Sequence, residues 1–166
     1  MNSETIDFEF HLLSEYWNQP PQAKIAVDNI EYFDDVVPKG SHVVKFTHTC
    51  AFDKLHQLTL IRSGKDDSQC KTLPNGKKLD QILTLEKLKI DGIDIRNIVW
   101  TQSVNIANYP EPWATAQRAA GNTLEQEAIG VTTFGHNGIW HLDFTSPFYV
   151  FVMRGYGGYD EYNNRV

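Results

Sequence analysis

Residues 132–153 read TTFGHNGIWHLDFTSPFYVFVM, and the parsing of this stretch decides the fold. Gly135-His136-Asn137-Gly138 is a turn signal. After it, Trp140, Leu142 and Phe144 alternate with Ile139, His141 and Asp143. Strand side chains alternate with period two, so this is a half-buried strand with Trp140, Leu142 and Phe144 in the core. Ser146-Pro147 interrupts the pattern. Residues 148–153 are almost wholly apolar and too short to span a membrane, which predicts a second strand, covered on both faces. The stretch is expected to be the closing hairpin of a β domain.

The same alternation recurs upstream. In 5–13, Ile6, Phe8, Phe10 and Leu12 face one way and Asp7, Glu9 and His11 the other. Asn18-Gln19-Pro20-Pro21 ends that strand, because proline has no N–H to give the ladder. Residues 23–28 form a short strand with Ile25 and Val27 inward, and the chain stays extended to the Asp34-Asp35 pair. A strand over 42–52 carries Val44, Phe46, His48 and Cys50 on one face. With 55–62 it is expected to form a hairpin. The polar segment 63–76 predicts a long exposed loop. In 79–90 a helix competes with a strand; Thr84 and the Asp91-Gly92 turn favour the strand, with 93–100 completing its hairpin. The Ala-rich run 114–120 suggests a helical turn ending at Gly121, and 124–134 a strand. The fold class is therefore all-β, an antiparallel, jelly-roll-like β-sandwich with at most a short helical turn near 114–120. A chain of 166 residues favours one domain, placed at 1–154, followed by a flexible Gly/Tyr-rich tail at 155–166.

Composition excludes several functions. The net charge is −6 and no Lys/Arg cluster offsets it, so nothing draws the chain to nucleic acid. No stretch of about 20 apolar residues predicts a membrane helix. The N-terminus lacks a basic start before an apolar core, which predicts cytoplasmic synthesis without a signal peptide. Two cysteines, Cys50 and Cys70, are too few for a disulfide scaffold and are read as unrelated thiols. There is no Gly-x-Ser-x-Gly elbow, no catalytic cysteine signature and no Gly-rich phosphate loop, so the chain is not expected to be an enzyme.

Candidate ligands are few. His141 and Asp143 share a strand face and could share an ion, although the polar outer face of a half-buried strand is the favoured reading. Calcium suits loop oxygens better than zinc does, with Asp28, Asp34 and Asp35 as candidates beside Asp91 and Asp94, or Asp66 and Asp67. Asp also favours turns for its own backbone hydrogen bonds. Tyr109 and Trp113 lie in the proline-interrupted loop 105–121, and Tyr156, Tyr159 and Tyr162 in the tail. Such rings stack on sugars or anchor protein interfaces, unless Trp113 plugs the end of the sandwich.

Two segments, LKIDGIDIRNIVW (88–100) and FGHNGIWHLDFTSPFYVFVM (134–153), together resemble small β-sandwich modules of the carbohydrate-binding type. They also resemble structural proteins of tailed bacteriophages that use such modules. The resemblance implies a jelly-roll sandwich without a catalytic centre. It makes the leading expectation a non-catalytic recognition or assembly module. That module would be a structural or decoration component of a virion-like surface, an oligomer or assembly component whose partners are protein subunits contacted through 105–121 and the tail. The alternative is a glycan-binding domain using Trp113 and Tyr109, assisted by calcium.

Overall fold

The alternation in 5–13 forms β1 (Ser3–Glu15), with Ile6, Phe8, Phe10 and Leu12 all fully buried. The computed structural model describes residues 2–155. After β1 come β2 (Gln22–Val27), β3 (Ile30–Val36), β4 (Gly40–Ala51), β5 (Leu55–Ser63) and a 3-10 turn (Asp67–Gln69). Then follow β6 (Lys71–Thr72), β7 (Lys78–Leu79), β8 (Ile82–Ile90), β9 (Ile93–Asp94), α1 (Arg96–Gln102) and β10 (Val104–Ala107). The described chain ends with α2 (Trp113–Ala119), β11 (Glu127–Ile129), β12 (Thr133–Phe134), β13 (Gly138–Thr145) and α3 (Phe148–Gly155).

Two antiparallel sheets form a β-sandwich. One has the order β12-β8-β1-β4, with β9 on β8; the other has β11-β10-β13-β5-β2-β3. Strands β6 and β7 make a small separate ladder. The inward rows of the second sheet run straight across its strands. Val27, Leu58 and Leu142 are register partners, as are Ile25, Leu60 and Trp140. They pack against the β1 row and against Leu83, Leu85, Leu88 and Ile90 of β8, in one apolar cluster. The jump in β8 from Leu85 to Leu88 is a bulge. His11 pairs Lys87 while Leu12 pairs Leu85, so Glu86 is the extra residue and both flanking leucines keep the core face.

The structure changes several sequence expectations. Residues 148–153 are not a strand but the first turns of α3. Phe148 and Val152 are buried and Phe151 packs beside them, while Tyr149, Val150 and Met153 face outward. Spacings of three and four mark one face of a helix. Pro147, whose ring sets a helical φ, stands just before it. Glu4 holds the start: its Oε1 accepts from the Phe148 N–H and the Ser146 hydroxyl, each at 2.5 Å. Glu4→Ala leaves that N–H unpartnered in a half-buried site. The expected cost is about 1–3 kcal/mol, checked by faster amide exchange in α3 while β1 stays protected.

Residues 93–100 pair for only two residues and then coil into α1, because Ile95, Ile98 and Val99 bury at helical spacing. The Asp94 carboxylate accepts from the Arg96 N–H at the helix start. The predicted hairpin of 42–52 with 55–62 is instead a crossing between layers: β4 bonds β1, whereas β5 bonds β2 and β13. Both segments bury one face, and facing each other across the core covers both. The expected strand over 124–134 splits between sheets, β11 on β10 and β12 on β8. It bends at Gly130, where φ is +77° and a Cβ would lie 2.3 Å from the Trp100 carbonyl oxygen. The loop 63–76 is not wholly exposed, since Gln69 is fully buried. Finally, β13 is a central strand between β10 and β5, not a closing hairpin. The segment 114–120 does coil, within α2.

Candidate functional site

The turn 135–138 starts β13 at one end of the sandwich, where β5 and β10 also end. Gly138 allows the close approach there: a Cβ would stand 2.4 Å from the Ile106 carbonyl oxygen. The loop after β10 is tied to the turn by the Asn108 N–H, which donates to the Asn137 carbonyl at 2.7 Å. Its prolines then deliver Trp113 as the first residue of α2, anchored by buried Ala114. Three rings meet as a result. The centroid of His136 lies 5.0 Å from Trp113 and 4.9 Å from Tyr109, which meets it edge-on at 73°. The Tyr109 hydroxyl donates to the Glu125 carbonyl at 2.6 Å, which fixes its ring. Trp113 stays 36% exposed, so it does not plug the sandwich.

The opposite wall comes from the lobe between β5 and β8. Asn137 staples it to the turn: its Oδ1 accepts from the Lys65 N–H at 3.1 Å and its Nδ2 donates to the Lys65 carbonyl at 2.9 Å. The same Oδ1 accepts from Arg62 at 3.0 Å. Arg62 also donates to the Gln81 carbonyl at 2.6 Å. This guanidinium sits on the inward face of β5 between Ala23 of β2 and Gly138 of β13, whose small size leaves it room. Burial pulls its pKa down to about 10, against the pull of Asp80 and Cys70. The Lys65 ammonium lies 2.6 Å from Asp80 and donates to the Gly135 carbonyl at 2.5 Å. Asp66 caps the 3-10 turn by accepting from the Ser68 N–H at 2.8 Å, and the Gln69 side chain reaches back to the Asp66 N–H.

Between the walls lies an open cleft of about 390 Å³, lined by Trp113, His136, Asn108, Lys65, Asp80 and their neighbours. Burial holds His136 below the usual imidazole range, helped by Lys65 and Arg62 and opposed by Asp80. It therefore presents a neutral ring. Asp80 lies below the usual carboxylate range: burial raises it, but hydrogen bonds from Lys65, Cys70 and the Gln81 N–H outweigh that. The Cys70 thiol is raised by burial and by Asp80, so it stays protonated and a poor nucleophile.

Of the predicted contact residues, Tyr109 and Trp113 come together, and Asp66 and Asp67 line the same cleft. Tyr156, Tyr159 and Tyr162 lie outside the described residues, as does the tail beyond Gly155. The calcium candidates Asp28, Asp34 and Asp35 do not converge. Asp28 bonds His56, and Asp34 and Asp35 are consecutive residues of the edge strand β3, facing opposite ways. The Asp91 carboxylate accepts from the Asp7 N–H and Asp94 pairs with Arg96. His141 and Asp143 do share an outer face, 3.4 Å apart. Among the described residues no group of three or more His, Cys, Asp or Glu side chains is arranged to hold a metal. His136, Lys65, Asp80 and Asn137 were missed as site residues. The Gly-His-Asn-Gly turn marked two of them, but nothing in the sequence placed that turn beside Trp113.

No protein family and no curated protein sequence matches the chain. Among solved structures it is similar to vCBM60 in complex with galactobiose, with 9% identity and a TM-score of 0.47, over 84% of this chain and 97% of that one. It is similar also to the selenomethionine form of vCBM60, described with circular permutation as an evolutionary link between two families of calcium-dependent carbohydrate-binding modules. There the identity is 8% and the TM-score 0.48, over 82% and 89% of the two chains. Likeness at this level leaves the ligand to be argued from the cleft itself.

Proposed function

We propose that the chain is a non-catalytic recognition module that binds a neutral saccharide in the cleft beside Trp113. One observation carries this reading: a partly exposed indole, braced by His136 and Tyr109, faces a wall of fixed hydrogen-bonding groups across a cleft of about 390 Å³. A sugar ring has an apolar face for the indole and hydroxyls for the polar wall. Charge supports a neutral ligand. Lys65, Lys71 and Lys78 balance Asp66, Asp67 and Asp80 in the lining, and His136 is held uncharged. The groups that could do chemistry are engaged: Lys65 with Asp80, and Cys70 as a protonated thiol bonded to Asp80. Binding needs no ion in this reading, because Asp66 and Asp80 already serve other partners.

The test is a panel of neutral polysaccharides and oligosaccharides, read by array and by calorimetry, with and without chelator. Wild-type protein is expected to bind at least one, unchanged by chelator. Trp113→Ala is expected to weaken binding about thirtyfold, the effect of losing a central aromatic anchor worth about 2 kcal/mol. Its thermal stability should stay close to wild type, because the ring is exposed. Failure to bind any polysaccharide would sink the proposal. Loss of binding on chelation would restore the calcium-assisted alternative. A Trp113-dependent protein complex in place of glycan binding would support the assembly reading, including a virion-like surface.

A further inference from the structure

The polar wall of the cleft holds two groups that folding uses only in part. The Asp80 carboxylate accepts from the Gln81 N–H at 2.7 Å and from the Cys70 thiol at 3.1 Å, and the Lys65 ammonium stands 2.6 Å away. All three converge on Oδ1. Oδ2 takes none of them, in a side chain that lines the cleft and is 34% exposed. The same bonds hold the carboxyl below the usual carboxylate range against the push of burial. Asp80 is therefore ionised, and its second oxygen can only accept.

Lys65 is the complement. An ammonium carries three N–H groups and no acceptor. One is directed at Asp80 Oδ1 and one donates to the Gly135 carbonyl at 2.5 Å. The third is left for the cleft, which Lys65 also lines. Both groups are held in place. The Lys65 main chain is bonded through its N–H and its carbonyl to Asn137, and Asp80 is bonded to the neighbouring Gln81 N–H. A ligand thus meets an acceptor and a donor that are already side by side, which spares the cost of ordering them on binding.

We propose that Asp80 Oδ2 and the Lys65 ammonium read two adjacent hydroxyls of the ligand, Asp80 accepting from one and Lys65 donating to the other. The inference rests on the saccharide reading of the cleft and narrows it. A hydroxyl both donates and accepts, so a neighbouring pair of them matches a fixed acceptor beside a fixed donor. Trp113 on the facing wall takes the apolar face of the ring, and the hydroxyls around the ring's edge remain for the pair. The ligand class is a saccharide whose units keep a vicinal diol, as 1,4-linked and 1,6-linked chains do. An interior unit of a 1,3-linked glucan has none, because its free hydroxyls flank the linkage oxygen.

Calorimetry of wild-type protein with xylan, mannan, dextran and a long 1,3-linked glucan tests the class. Binding to one or more of the first three is expected, and none to the 1,3-linked glucan. With an oligosaccharide of the chain that binds, Asp80→Asn and Lys65→Met are each expected to lower affinity about ten- to hundredfold, the effect of losing one charge-assisted hydrogen bond. Replacing one hydroxyl of the diol by hydrogen should weaken wild type to a similar degree and weaken Asp80→Asn little further. A general loosening of the wall would leave the deoxy penalty the same in both proteins. That result, a preference for the 1,3-linked glucan, or unchanged affinity in both variants would overturn the inference while leaving the saccharide reading intact. Binding to no polysaccharide at all would remove both. Where neither variant folds, the wild-type linkage preference and deoxy penalty decide.

Discussion

Trp140→Ala lowers the unfolding free energy by about 3–5 kcal/mol. Trp140 is 1% exposed and sits mid-strand in β13, in register with Leu60 and, through it, Ile25. Across the core it meets Phe10 of β1 edge-on, with centroids 6.4 Å apart at 82°. The two central strands of the two sheets thus touch through these rings. Alanine removes that bridge and leaves a cavity that the flanking strands, each paired on both sides, can close only partly. The loss is one of packing, since the indole Nε1 has no hydrogen-bond partner among the described residues. Trp140→Phe should therefore recover part of the stability. Urea denaturation followed by far-UV dichroism gives the value. For a chain of this size the Tm should drop by about 6–20 °C. A loss below 1 kcal/mol would mean the sheets repack freely around the site.

Arg62→Ala is expected to cost at least about 1–3 kcal/mol, because it strands the buried carbonyl of Gln81. It also removes one of the two donors to Asn137 Oδ1, which keeps the Lys65 N–H. Alanine also leaves a void between Ala23 and Gly138, which are too small to fill it. The effect should reach the cleft. Asn137 staples the 64–81 lobe to the 135–138 turn, so losing one of the two bonds to its Oδ1 loosens the wall opposite Trp113. Arg62→Lys supplies one donor where two are needed and should fall between wild type and alanine. Equilibrium unfolding measures the stability. Saccharide affinity under conditions where each variant is folded measures the loosening, which should exceed that caused by Trp140→Phe.

Much of the fold was legible. The alternation of Ile6, Phe8, Phe10 and Leu12, and of Trp140, Leu142 and Phe144, named core residues correctly because period-two patterning depends only on which face is buried. It could not name neighbours. Backbone hydrogen bonds between strands are common to every residue type, so nothing in 42–62 shows that β4 and β5 join different sheets. The apolar run 148–153 was ambiguous for a related reason. Phe148, Phe151 and Val152 fit a helix face, yet the run is short enough to pass for a buried strand. The carboxylate of Glu4, far away in sequence, stabilises the helical start.

By itself, the sequence determined the class, a two-layered antiparallel β protein, and most of its core, and it singled out the aromatic loop carrying Tyr109 and Trp113 while leaving open whether Trp113 is exposed or plugs the sandwich. Only the tertiary structure decided the site. Its cleft draws on the 65–80 lobe, the 108–113 loop and the 135–137 turn, segments distant in sequence that meet because β5, β10 and β13 end together. It also decided which aspartates are occupied. Asp28, Asp66 and Asp80 look alike in the sequence, but each is held by partners supplied through folding, His56, the Ser68 N–H and Lys65 in turn. A residue's type fixes what it can bond; only the packing of distant segments fixes what it does bond.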